Sequence, residues 1–579
     1  MKSLICFLIL FLISATSLLA QAPLEPARLP ESTVFYVLWR GAPAPAIRSA
    51  NSLYSLWDDP DFAPARSAMF DNFLSQSEKK SDANAKISRE EFAEYATLLE
   101  NPFVLGYLSD PAKRNANAPH HRAPAEHREW NGFFFVYDRS SKESLLAKAV
   151  LRMRAAEKEP PTISTVNIAG IPALKIERKT GITYWMDNGK YVLSSGETSV
   201  LEEILARLKN NAAPAPSLAD SSAYKEAGSL LGSGVLEYFV RISGLRDLAP
   251  ESAGAAGFRA GPILDALKLD SIHSFSGHIV LDGSKTRLQG ALLGDASQGT
   301  LFDLWDAGQA TPASLSYISP NAISYNETQI NLQGIYALAK RTADTLMPKG
   351  QQNNADLVES MARARLGMSI SDVLSAFSGE FAYAQTNSAL DAGKQTYLFG
   401  IHNKETSLKL LRHVFSDRIS SERSEGNVTF LKISFGGAQN NTGLAQWNYY
   451  HFAVTPDMIL VTNKLDTLRE ALAQHAASPA AGLAASFFAN RSKYPPTVSG
   501  LSFTDLQKFD WQAIQNPQLR AAANKSAVNK SPESKLTFAP ATKTWLDSLD
   551  PKVFPKHLHF SSTTSWKDAS GIHFDGWID

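Results

Sequence analysis

Histidines and carboxylates gather most densely at His120, His121, Glu126 and His127, donors that suit zinc. Three such ligands plus a water would make a catalytic centre. The stretch carrying them, RNANAPHHRAPAEHRE from Arg114 to Glu129, is rich in Pro, Asn and Ala and offers no rigid element to hold a tetrahedral geometry, so it reads as a solvated surface loop. His557 and His559 alternate along an expected strand and would share one face, but a pair is too few for a site. Asp58, Asp59 and Asp61 could ligate a hard cation, yet they lack the spaced ligands and glycine of a calcium loop. They are expected instead to end one helix and cap the next. Glu380, the only acidic residue of its strand, reads as a buried, paired carboxylate.

A serine acyl-enzyme would draw on Lys179-Thr180-Gly181 ahead of a strand and on the S-x-x-K matches Ser77 to Lys80 and Ser222 to Lys225. The order of these parts fails, because no S-x-N lies between Ser77 and Lys179 and Ser222 follows the triad. No G-x-S-x-G elbow, P-loop, dinucleotide fingerprint or H-E-x-x-H occurs. No catalytic, cofactor-binding or metal-binding residue is therefore assigned, and no cofactor is expected. Trp39, Trp57, Trp130, Trp185, Trp447 and Trp577 could stack on sugars or peptides, although large aromatics first of all fill cores.

The elements that would position any such residue occur twice. FFFVYDR from Phe133 runs into the helix SSKESLLAKAVLRM and later YWMDNGKYVLSSGETSVLEEILARL. From Tyr397 the same order returns as YLFGIHNKETSLKLLRHVF and NYYHFAVTPDMILVTNKLDTLREALAQH. Leu193, Leu201, Glu203 and Leu205 align without gaps with Leu460, Leu468, Glu470 and Leu472. A first strand, STVFYVLWR, has its counterpart in NAISYNETQINL, and helices are expected at Ala46 to Trp57 and at Gln333 to Met347. Ser371-Asp372 is expected to cap a further helix, which Gly379 ends before the strand EFAYAQ. Each half closes on a hairpin, Ile272 to Leu293 through Asp282-Gly283, and HLHFSSTTSW through DAS to GIHFDGWI. The fold class that follows is α+β: two tandem homologous halves, each a mainly antiparallel sheet with helices packed on one face. The boundaries are 1–22 for a leader, 23–297 for the first repeat, 298–314 for a linker and 315–579 for the second repeat.

At 579 residues the chain exceeds a single core, and its 44% hydrophobic and 20% charged content is that of an ordinary folded protein. Lys+Arg and Asp+Glu both number 57, so no net charge draws it to nucleic acid or to an anionic membrane surface. Lys2, the apolar run Leu4 to Ile13 and the small residues up to Ala22 have the order of a secretory signal peptide; an uncleaved anchor is less favoured, since the run is short for a membrane span. No later stretch is long enough to span a bilayer. The one cysteine, Cys6, falls inside this leader, so the mature chain would hold neither a disulfide nor a thiolate. A bacterial periplasmic or extracellular setting follows.

The Leu29-Pro30 strand entry, the helix ending at Asp59-Pro60, the run from Leu366-Gly367 to Gly379-Glu380 and the duplicated strand-helix-strand order together resemble a family of exported bacterial proteins classed as a domain of unknown function (3352-like). The first half departs from that pattern, keeping only Leu105-Gly106. The resemblance implies an envelope location and no established catalytic residues. The favoured function is a non-enzymatic binding or scaffold protein of the envelope, with a protein or cell-envelope polymer as partner. The rivals are a hydrolase of envelope material with one site at the junction of the halves, and a carrier of a hydrophobic ligand.

Overall fold

The computed structural model describes residues 24–80, 88–109, 132–155, 161–178, 181–209, 216–232, 234–245, 267–296, 300–306, 308–346, 354–386, 395–434, 449–477, 495–512 and 548–579. The expected leader lies outside these. Among the described residues no helix is long and apolar enough to cross a membrane.

Strands of the first half are β1 (Thr33–Trp39), β2 (Phe103–Leu108), β3 (Phe133–Asp138), β4 (Thr162–Ile168), β5 (Ile171–Arg178), β6 (Gly181–Asp187), β7 (Tyr191–Ser195), β8 (Leu236–Arg241), β9 (Ile272–Asp282) and β10 (Lys285–Gly294). The second half supplies β11 (Ser324–Gln329), β12 (Phe377–Gln385), β13 (Gln395–Ile401), β14 (Ile419–Glu425), β15 (Val428–Ser434), β16 (Tyr449–Val454), β17 (Met458–Thr462), β18 (Gly500–Asp505), β19 (Phe560–Asp568) and β20 (Gly571–Ile578). Helices used below are α1 (Pro45–Ala50), α2 (Ser52–Asp58), α3 (Glu143–Ala155), α4 (Thr198–Lys209), α5 (Leu332–Leu346), α6 (Lys404–Val414), α7 (Leu465–Ala477) and α8 (Phe554–His557).

These 20 strands form one sheet in which every neighbouring pair is antiparallel. From one rim the order is β4-β5-β6-β7-β3-β2-β1-β8-β9-β10. It continues β20-β19-β18-β11-β12-β13-β17-β16-β15-β14 to the other rim. Read inward from either rim, the two halves place their strands in the same succession, and β10 meets β20 in the middle. The central ladder is itself symmetric: Thr286 faces Ile578, Leu292 faces Ile572, and Gln289 faces Asp575 between them.

Helices cover both faces of the sheet, not one as expected. Successive strand residues point to opposite faces. Val136 and Leu193 share a core with Leu201 and Leu205 of α4, whereas Tyr137, next to Val136, packs with Trp39, Phe103 and Leu146 of α3. The second half repeats this: Leu460 and Ala453 pack on Leu468 of α7, and Ile459 and Val454 on Leu408 of α6. The cause is legible in β17, MILVT, which is buried at every position and so needs a layer on each side.

Local departures have local reasons. The expected helix Ala46 to Trp57 breaks at Asn51, which is extended and whose Oδ1 accepts from the N–H groups of Leu53 and Tyr54, capping α2. Ser369, not Ser371, caps the helix Ile370–Ser375, in a reciprocal box with Asp372. Gly379 does not end that helix. It sits inside β12 at φ +88°, where the register shifts and where a Cβ would lie 2.1 Å from the Ile330 carbonyl. His557 is the last residue of α8 and His559 precedes β19, so the two do not share a strand face. Pro555 near the start of α8 favours that helical turn. The expected linker is packed where it is described, with Thr300, Phe302 and Ser314 buried.

Candidate functional site

On the face covered by α4 and α7, one line of directly opposed residues crosses the centre of the sheet: Leu38, Glu237, His278, Gln289, Asp575, Thr564, Leu501 and Glu327. Opposed residues share a face, so the line is polar across the seam between the halves. Glu237, His278, Gln289 and Asp575 are each held by hydrogen bonds. Glu237 is fully buried; it accepts from Tyr36 Oη at 2.5 Å and from the Gly232 N–H at 2.6 Å, with Arg40 at 3.5 Å. His278 Nδ1 donates to the Leu230 carbonyl at 2.5 Å, and Nε2 lies 3.3 Å from Gln289 Oε1. At the seam Arg287 grips Asp575 through both Nε and Nη2, and Gln289 Nε2 donates to the same carboxylate at 3.3 Å.

The far end of the line holds a pair of acids. Glu380 accepts from the backbone N–H groups of Ala313 at 3.2 Å and Ser314 at 2.8 Å. Glu327 accepts from Gln329 Nε2 at 2.7 Å, while its Oε2 is buried and finds no partner among the described residues. Burial, and then the charge of Glu380, push the Glu327 carboxyl up to about 9, so it carries a proton at neutral pH. Beside it Tyr325 is fully buried, its hydroxyl 2.7 Å from Ser314 Oγ, and burial followed by Glu327 raises its phenol well above the usual range.

A polar arrangement therefore stands at matching places in both halves. Tyr36 stacks on the opposed Phe239 with centroids 5.9 Å apart, and two residues along Leu38 faces Glu237. Tyr325 stacks on the opposed Phe503 at 5.4 Å, and two residues along Glu327 faces Leu501. In the first half the carboxylate stands on the strand that carries the phenylalanine, in the second on the strand that carries the tyrosine. Residue-by-residue alignment compares Leu with Glu twice and finds nothing. The recoverable signal was the tyrosine of FYVLW and SYNET with an aromatic in EYF and LSF.

The other face carries the feature most able to bind. Its ends are closed by α3 over Tyr137 and Phe103, and by α6 over Ile459 and Val461. Between them lies a strip of aromatic and aliphatic side chains. Phe133, Tyr107 and Phe35 meet at ring separations of 5.2, 5.4 and 6.2 Å; Tyr238, Phe275 and Phe574 follow at 5.2 and 6.2 Å. Leu105, Phe275 and Leu288 are 36%, 37% and 39% exposed, high for large apolar side chains in the middle of a sheet. The opposed glycines Gly277 and Gly290 make room: a Cβ on Gly290 would sit 2.4 Å from Phe574 Cζ and 2.8 Å from Tyr238 Oη. In the second half the same face continues through Phe381, Tyr383, Tyr397 and Phe399, beside exposed Asn326 and Thr328.

Most residues singled out in the sequence go elsewhere. His120, His121, Glu126, His127, Lys179, Thr180, Trp130 and Trp447 lie outside the described residues. Among the described residues no group of three His, Cys, Asp or Glu side chains could hold a metal. The aspartates serve separate partners: Asp58 pairs with Arg48, Asp61 with Lys556, and Asp59 with His557 at 2.6 Å while capping the turn at Asp61. That bond to His557 holds the Asp59 carboxyl below its ordinary range. Lys225 donates to the Asp220 carbonyl, not to Ser222. Trp39 and Trp57 are buried core residues, and Trp577 lies under Lys285 Nζ at 4.3 Å. No family model, curated protein or solved structure matches the chain.

Proposed function

We propose that this is an exported envelope protein, of the kind its leader and its resemblance imply, that binds rather than transforms its partner. It is built from two tandem copies of one ten-stranded α+β unit, a reading supported by the identical strand succession from each rim and by the symmetric β10–β20 ladder. The observation that carries the binding role is the partly exposed strip through Leu105, Phe275 and Leu288. Contiguous exposed apolar surface on a sheet marks an interaction site, and flat aromatic rings suit a peptide or the apolar faces of a sugar polymer. The seam proposed for a hydrolase site is a continuous strand pair whose Arg287, Gln289 and Asp575 satisfy one another, which disfavours a cleft there.

The test uses the protein as bait on envelope extract and on purified envelope polymer, against a Leu105→Ser, Phe275→Ser, Leu288→Ser variant. Retention by the parent and loss in the variant, with unchanged circular dichroism, is the expected outcome. Equal retention by both, or turnover of the polymer, sinks the reading.

A further inference from the structure

The two rims of the sheet are built differently. β14 carries Glu422, Arg423 and Glu425, and its pairing with β15 slips between Ile419 and Ser421. Charges and irregularities of this kind keep an edge from pairing with other chains. β4 holds the matching place at the opposite rim and has neither device. Thr162-Ile163-Ser164-Thr165-Val166-Asn167-Ile168 is uncharged and free of proline, and it pairs with β5 without a break from Thr162 opposite Glu177 to Ile168 opposite Ile171.

The turn sets which backbone groups face outward. Ala169 and Gly170, at φ +48° and +83°, form a two-residue turn, and the pair flanking such a turn exchanges both hydrogen bonds. Bonds to β5 then fall on Ile168, Val166, Ser164 and Thr162. The N–H and C=O groups of Ile163, Thr165 and Asn167 point away from the sheet, with no partner among the described residues. This outward set is symmetric about Thr165.

We propose that β4 is a dimerisation strand, pairing antiparallel with β4 of a second copy across a two-fold axis at Thr165. Thr165 then opposes its own copy and Ile163 opposes Asn167 on either side. A two-fold axis perpendicular to the sheet keeps each face on its own side, so opposed residues must share a face, as residues two and four apart in a strand do. An uncharged edge favours a second copy over a foreign chain: it offers no charge for a heterologous partner to complement, and paired on itself it sets no like charges together. Self-pairing of β14 would oppose carboxylates. The two aromatic strips of the dimer lie on the same side of the joined sheet.

Sedimentation equilibrium of the purified protein from about 1 to about 100 µM spans the affinities at which such an interface is read. A mass twice that of the chain is expected. Thr165→Pro deletes an outward N–H without touching a bond to β5, and Thr165→Lys places two like charges on the axis. Each should weaken the dimer at least about tenfold while leaving circular dichroism unchanged, and should leave the thermal midpoint unchanged at a concentration where the parent is itself monomeric. A monomer throughout the range overturns the proposal, and so does a dimer that neither substitution weakens.

Discussion

The substitution Glu327→Gln should stabilise the protein, and by more as pH rises. The wild-type carboxyl ionises near 4.5 when unfolded and at about 9 in the fold, where burial and Glu380 hold the proton on. A raised acid contributes fully below its unfolded value and loses that contribution as pH climbs toward the folded one. Between those limits each pH unit costs about 1.4 kcal/mol, so by neutral pH the loss is about 3 kcal/mol. The substituted amide keeps the oxygen that accepts from Gln329 and puts an N–H donor where Oε2 has no partner among the described residues. It has no proton to lose. Urea unfolding of both proteins between about pH 5 and about pH 8 should show the variant's advantage growing by roughly one proton's worth per pH unit. A difference that stays flat with pH, or a variant that falls behind at the alkaline end, refutes the assignment of a neutral buried acid.

Tyr36→Phe removes the donor that Glu237 receives at 2.5 Å and should cost about 1 to 3 kcal/mol in urea unfolding, since the carboxylate stays buried. Gly290→Ala drives a methyl into Phe574, 2.4 Å from where the Cβ would stand, and should cost about 1 to 3 kcal/mol; Phe574→Leu added to it should recover part of the loss in thermal melts. Leu288→Ser alone, at a 39% exposed site, should shift stability by less than about 1 kcal/mol while weakening partner retention.

Much of the local architecture was legible because it is decided by neighbours in the chain. Alternation and turn residues placed β9, β10, β19 and β20, and the aligned Leu201 and Leu468 are both fully buried under the sheet. Errors arose where a residue serves a distant segment. Asn51 breaks a helix because it both caps α2 and donates to Thr286 Oγ1 on β10 at 3.0 Å. Gly379 looked like a helix terminator because nothing nearby in sequence shows the Ile330 carbonyl pressing on it. Of the candidate site, Glu380 was recognisable as a buried carboxylate, and its partners are the Ala313 and Ser314 backbone N–H groups. The neighbouring acid Glu327 was not, because SYNETQ has one apolar residue, Tyr325, and so shows no inward-facing side.

By itself the amino-acid sequence determined several of the strands and helices, that an order of elements occurs twice, and where the closing hairpins turn, since these depend on side-chain period and backbone freedom within a few residues. Only the tertiary structure decided that β10 joins β20, that helices lie on both faces, that one line carries Glu237, Asp575 and Glu327 across the seam, and that Phe275 and Leu288 stay more than a third exposed. Those outcomes depend on which strands become neighbours and on what the helices reach, and neither is written in any local stretch of the chain.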